Sequence, residues 1–312
     1  MMVDRMTLDE FCAQGFKDHV TDAAAVMARL PAGVALVSVP ADLPKFAHLV
    51  VHDAGEHMGR WAEGVSLLER LRSHASFDAS AAEGKAVLRS LAVLHACAGD
   101  LDAAEEFTIL GRAGGDVPEA SDRARIKALV ASTLTGQHRI AEAARALDEA
   151  VRLAGYGPGP KDPAARALAV AGNNLAQDLE RRETLSDDER ALMLKAAQAG
   201  RDFWGIAGGW MEVERAEYRL AMSCIKAGLA ERAEGHAREC MRIVRENGSD
   251  AGELFFAHEV TARAHVASGD GAHAAAAIRE AEAVLPTITD AGFRDYRARE
   301  FEELRGLIAG RG

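Results

Sequence analysis

His48, His52 and Glu56 recur at four-residue intervals, as do Asp53 and His57. On a helix each set lines one face, because residues one turn apart stack. Two imidazoles followed by a carboxylate one turn later make a partial metal site of the kind zinc accepts. The same histidines can equally serve as hydrogen-bonded packing residues, and Asp53, Glu56 and His57 can instead face a binding groove. No further His, Cys or acidic cluster stands nearby in the sequence to complete a ligand set. Packing is therefore the expected role, and no metal ligand is assigned. His258-Glu259 followed by His265 fails as a zinc-protease helix, which needs its second histidine where Ala262 stands. Gly205-Ile206-Ala207-Gly208-Gly209 lacks a lysine and follows a helical pattern, so it reads as a turn and not a phosphate loop. No serine or cysteine has a nucleophile-elbow context. No catalytic residue and no cofactor is assigned, and the expectation is a protein that is not an enzyme.

The chain that must position these groups has 312 residues, 48% of them apolar and only 5% aromatic. Its abundant alanine favours helices that approach closely. Against 48 acidic residues stand 37 basic ones, a net charge of -11. Such a field, with no lysine-rich block, opposes counterion-driven binding of nucleic acid. Cys12, Cys97, Cys224 and Cys240 are scattered without a CxxC pair and read as small buried apolar residues. Met1 to Phe16 carries Asp4, Asp9 and Glu10 and no apolar run, so no secretory leader is expected. No stretch approaches the ~20 apolar residues of a membrane span. The cytoplasm is the expected compartment.

A recurring glycine punctuates the sequence at Gly59, Gly99, Gly136, Gly228 and Gly269, at intervals of 40, 37, 92 and 41. The long interval is two periods in which one unit has lost its glycine, and the mean period is about 42, which signals a helical repeat array. A small residue follows each turn, Gly64, Ala104, Ala233 and Ala274 among them, where a second helix must pack tightly on the first. Thr7 to Glu10 and Ser186 to Glu189 are capping boxes that open helices, the latter expected to reach Phe203 and stop at Gly205. A second N-terminal helix is expected over 20–30, stopping at Pro31, with Val34 to Val39 extended or looped. Gly155 to Pro160 is the strongest breaker in the chain. Trp204 and Trp210 flank a glycine turn and are expected to pack a junction between repeats. Residues 290–309 read as a terminal capping helix.

These turns and small residues resemble tetratricopeptide repeats. Taking Gly99, Gly228 and Gly269 as the family's turn glycine puts Ala92, Ala221 and Ala262 at its small first-helix position, and Cys240 and Ala281 at its small second-helix position. Asn173-Asn174-Leu175-Ala176 has the character of a family first helix. The resemblance spans roughly residues 43 to 285. The family's usual aromatics are absent, with Gly55, His95, Cys224 and His265 at one of their positions, and the long period is shared with HEAT-like repeats. The resemblance implies a concave groove lined by first helices. Carried over residue by residue, it places Phe46, Leu49, Asp53, Glu56 and His57 there, then Asn173, Gln177, Glu180 and Arg181. Arg215, Tyr218, Met222, Ile225 and Lys226 follow on the next repeat, and Phe256, Glu259, Arg263 and Val266 on the last. Some members clamp a C-terminal carboxylate, and Asn174, Arg215 and Arg219 occupy those places. The preceding unit offers Ile126 and Val130 where the clamp needs polar groups, and Glu214 and Glu217 beside the arginines favour ordinary pairing along one helix.

The expected architecture is all-α: an α-solenoid of about six stacked hairpins. A helical extension covers 1–41, three hairpins cover 42–155, and three more with a capping helix cover 164–312. The leading functional reading is a scaffold that binds a protein or peptide in its groove, without nucleic acid or membrane as partner. A homodimer through apolar solenoid ends stays open. The alternative is a sensor of a small molecule or signalling peptide, resembling the long-repeat domains of bacterial transcription activators. An enzyme with a site between the two halves is the remotest reading.

Overall fold

The computed structural model describes residues 6–112, 117–248 and 250–309. These form fourteen α-helices and no strand, and none of the described helices is long and apolar enough to cross a membrane. The chain divides into two compact units near the Gly-Pro breaker: one ends at Pro158 and takes in 162–168, the other holds 159–161 and everything from 169.

The first unit contains α1 (Leu8–Gly33) and α2 (Asp42–Val50), which runs directly into a π-helical turn (Val51–His57). It continues with α3 (Trp61–Arg72), α4 (Ala82–Ala98), α5 (Leu101–Arg112), α6 (Glu119–Gly136) and α7 (Ile140–Leu153). The second unit follows from α8 (Pro163–Glu180), whose opening turn is counted with the first. It holds α9 (Asp187–Ala207), α10 (Trp210–Lys226), α11 (Ala230–Glu246), α12 (Ala251–Ser268), α13 (Gly271–Val284) and α14 (Ala291–Ala309). Helices α4 and α5, α6 and α7, α10 and α11, and α12 and α13 pair as hairpins, while α4 touches α6 and α10 touches α12 in the next repeat. Each unit is thus a helical-repeat stack.

Local chemistry explains the hairpins. Gly99 and Gly269 cap their helices at φ of 87° and 81°, a left-handed conformation that a Cβ would penalise. Ala104, Ala233 and Ala274 then face the partner helix and are buried. Both capping boxes form, with Thr7 bonded to Glu10 and Ser186 to Glu189. Leu43, Leu49, Leu68, Leu71, Leu91 and Leu94 fill the first unit and are fully buried, each stabilising by about 1.5–3 kcal/mol. The second unit has an alanine-rich core, with Ala221, Ala233, Ala237, Ala257 and Ala264 packed beside Cys224 and Cys240. All four cysteines are buried and free. Helix α14 closes the end of α12 and α13, burying Leu304 and Phe301, whose ring meets Phe255 at 5.4 Å.

Three local expectations change. A bend at Asp22 (φ -154°, ψ 77°) divides α1, and the helix continues through Pro31 to Gly33. Packing overrides the proline there: Leu30 is fully buried, and a Cβ on Gly33 would lie 2.4 Å from Phe46. Val34–Leu36 is a 3-10 turn, and only from Val37 does the segment become extended or irregular as expected. Its continuation is pinned by Asp42, which accepts from Ser38 and Val39 backbone N–H groups at 3.0 and 3.2 Å. Helix α9 passes Gly205 and ends at Ala207, with Gly208 as its cap.

Candidate functional site

Helices α8, α10 and α12 carry most of the residues that the repeat pattern selects. Arg215 and Arg219 lie one turn apart on α10 but do not converge. Arg215 donates to Glu253 of α12, and Arg219 to Glu180 of α8. Both carboxylates are nearly inaccessible, with side-chain exposures of 4% and 9%. Ser223 adds a second donor to Glu180 at 2.6 Å, and Lys226 Nζ reaches the Arg182 carbonyl. Further along, Tyr218 Oη donates to Glu259 Oε2 at 3.1 Å, and Arg263 donates to Glu259 Oε1 at 2.6 Å. The Tyr218 ring meets Phe256 edge-on at 5.5 Å.

This ladder corrects two readings. The arginines do not pair with Glu214 and Glu217 along α10, because both acids point inward and are buried. Nor do the arginines form a clamp, because each guanidinium is committed to a buried carboxylate of a neighbouring repeat. Glu217 accepts instead from Arg201 of α9 and His236 of α11, both at 2.7 Å. Burial is the largest influence on Glu217 and raises its pKa, yet His236 and Arg201 together outweigh it and leave the carboxyl below its ordinary value. Neither oxygen of Glu214 is hydrogen-bonded to such a cation, although the charge of Arg215 acts on it from nearby. Burial first, and Glu253 beside it second, push it up to about 9.

Asn174 is exposed and Gln177 half-buried. With its amide turned to satisfy both ends, Gln177 accepts from Arg219 at 3.3 Å and Arg181 at 3.2 Å. Asn173 is wedged where α8 meets α9: a Cβ on Gly200 would lie 2.5 Å from its Oδ1. Beyond the ladder, Met222 and Ile225 of α10, Arg263 and Val266 of α12 and Leu304 of α14 line a cavity of about 350 Å³. Trp204 is buried at the end of α9, beside the turn that leads into α10.

The first unit's selected residues sit differently. Phe46, Leu49 and Asp53 are fully buried, so they line no open groove. Asp53 continues the buried stripe of Phe46 and Leu49, one turn further on and inside the π-turn. From Val51 onward the chain advances by i→i+5 hydrogen bonds, such as Met58 N–H to the Asp53 carbonyl at 3.0 Å, and the α-helical register no longer applies. Both Asp53 carboxylate oxygens are buried without a hydrogen bond, and burial pushes that carboxyl up to about 6. Glu56 accepts from His52 Nδ1 at 3.0 Å. His52 Nε2 in turn lies 3.2 Å from His19 Nε2 and 3.2 Å from His57 Nε2. Phe16 packs on this group, its ring 5.2 Å from His48 and 5.3 Å from His52. Burial lowers the pKa of His19 and of His48, with His52's charge adding to it. His57 keeps an exposed edge, yet lost hydration against its neighbours and then the charge of His52 push it down to about 4.

Sequence spacing groups His48, His52 and Glu56, whereas the fold gathers His52 with His57 and with His19, which lies 33 residues from His52 on another helix. No local signal marks it. The buried acids Glu253 and Glu180 do carry a signal: they stand 38 and 39 residues from their arginines, close to one repeat. No protein-family model matches the chain, and no curated protein matches it significantly.

Proposed function

We propose that the protein is a non-catalytic, tetratricopeptide-like scaffold that holds a peptide segment of a partner protein on the α10–α12 face of its second unit. One observation carries this reading: the cavity of about 350 Å³ formed by Met222, Ile225, Val266 and Leu304, with Arg263 at its edge. That volume is at the small end of the ~300–1,000 Å³ typical of ligand pockets. It suits one or two large apolar side chains, which is how a groove anchors a peptide. Arg263 is oriented by Glu259, so an acidic or carbonyl group beside the anchor meets a fixed donor. The ladder beside the cavity holds successive first helices in register, which presents the anchor site without ordering it on binding.

The test is selection of a displayed random-peptide library on the whole chain, followed by affinity measurement on Ile225→Glu and Val266→Glu. Enriched peptides should share a large apolar residue, and each variant, still helical by circular dichroism, should bind at least ~10-fold more weakly, about 1.4 kcal/mol. Peptides held equally by wild type and both variants would refute the site. No enrichment, together with a small molecule retained in native mass spectrometry, would replace the scaffold by a sensor.

A further inference from the structure

The imidazoles of the first unit converge on a point that hydrogen bonding alone does not satisfy. In the neutral ring whose Nδ1–H donates to Glu56, His52 Nε2 is a bare lone pair. Two other ring nitrogens, of His19 and His57, both stand 3.2 Å from that one acceptor. A single in-plane lone pair serves one of them. His19 Nδ1 is buried without a hydrogen-bond partner, while its Nε2 lies against His52. Its Nε2 is therefore the nitrogen presented to the cluster. All three ligand atoms lie within 4.8 Å of one another.

Those distances have a chemical meaning. Two imidazole nitrogens bound at ~2.05 Å to one tetrahedral ion stand about 3.3 Å apart, close to both observed separations. The backbone is built for the convergence. On an α-helix residues five apart are rotated by about 140°, so His52 and His57 would diverge. The π-turn brings them onto one side, since its hydrogen bonds run from i to i+5. The turn is held by the fold: Gln137 Nε2 donates to the Glu56 carbonyl at 2.7 Å, and a Cβ on Gly55 would lie 3.0 Å from Leu94.

We propose that His19, His52 and His57 bind a divalent transition-metal ion of the zinc class through their Nε2 atoms. Glu56 is the carboxylate behind His52, fixing its tautomer and orientation, an outer-shell arrangement typical of metal-bound imidazole. Three nitrogens with no thiolate favour borderline ions over calcium or magnesium, which prefer oxygen. His57 is exposed while His19 and His52 are half-buried, so the fourth position opens to solvent on the His57 side. The ion there keeps a site for water or for a ligand's donor atom, as ions held by three protein ligands do.

The test uses the full chain, freed of metal by chelation and titrated with cobalt(II) at neutral pH. One equivalent should bind with the visible bands of tetrahedral cobalt and be displaced by zinc. Glu56→Gln should weaken binding by roughly 10- to 100-fold, and His19→Gln and His57→Gln by more than that outer-shell range. His74→Gln, on another turn, should leave affinity unchanged. His57 is the most exposed of the three, so His57→Gln decides the matter if a more buried variant fails to fold. No cobalt uptake by wild type would overturn the site, as would uptake retained in His57→Gln. Near-ultraviolet sulfur-to-cobalt charge transfer would overturn it too, by moving the metal to a cysteine.

Discussion

The two units differ in what meets most of the acids around their candidate sites, Glu214 of the second being the exception. In the second, Glu180, Glu217, Glu253 and Glu259 each meet an arginine or histidine from another helix or another turn. In the first, Asp53 is buried with neither oxygen hydrogen-bonded, and the neighbouring polar groups are imidazoles whose nitrogens crowd one another. A regular repeat brings equivalent positions of successive first helices side by side, so an acid on one finds a base about one period away. A broken register does the reverse: the π-turn gathers His52 and His57, which regular helix would separate. In the second unit most buried acids have a cation that offsets their lost hydration, whereas the first unit's imidazoles have a metal ion to gain, on the proposal above.

The largest effect should come from breaking the ladder. Arg219→Ala leaves Glu180, whose side chain is 9% exposed, with only Ser223 as donor. Removing one partner of a buried pair costs about 3–5 kcal/mol. We expect a loss near 3 kcal/mol in urea unfolding, since burial already raises Glu180's pKa and lets it take up a proton. A cost under ~1 kcal/mol, the range of exposed pairs, would reduce the ladder to surface decoration and dissolve the contrast.

The first unit's counterpart is Gly136, at the end of α6. A Cβ there would lie 2.5 Å from the Glu56 carbonyl oxygen, a backbone atom that cannot rotate away. Gly136→Ala should therefore cost about 2 kcal/mol, the usual scale of overpacking, read as a lowered urea midpoint. Substitution without cost would mean that the π-turn is free to shift, and that its geometry is no device of the fold.

These residues also show which features the sequence discloses. The capping boxes at Thr7 and Ser186, the turns at Gly99 and Gly269 and the buried Ala104, Ala233 and Ala274 are local, so a few neighbouring residues determine them. The continuation of α1 through Pro31 is not, because it depends on Phe46 fifteen residues later. Arg215 and Arg219 are legible as ion-pair formers, but spacing along one helix points to i±3 and i±4, while their partners lie 38 and 39 residues away. The family pattern puts Phe46, Leu49 and Asp53 on an open face, but the packing of neighbouring helices, which that pattern does not carry, buries all three. His19 was invisible for the plainest reason: spacing carries no information about a residue on a different helix.

The smallest predicted effect probes Glu214, a buried acid beside the ladder with no hydrogen-bonded cation. Glu214 is buried against Glu253, whose charge is taken by Arg215, and its carboxyl is pushed up to about 9. Its folded-state value lies above its unfolded value, so the folded chain holds a proton that the unfolded chain releases as pH rises above about 4.5. Stability from this group is full below that pH and is lost progressively toward pH 9. Glu214→Gln keeps a neutral side chain of the same shape and removes the titration. The variant should gain on the wild type between pH 5 and pH 8 by at least about 1.4 kcal/mol, the equivalent of one pKa unit. Urea midpoints at the two pH values measure it. A difference that is flat with pH would show that Glu214 is ionised inside the fold, and the second unit would then hold an uncompensated buried charge much as the first holds Asp53.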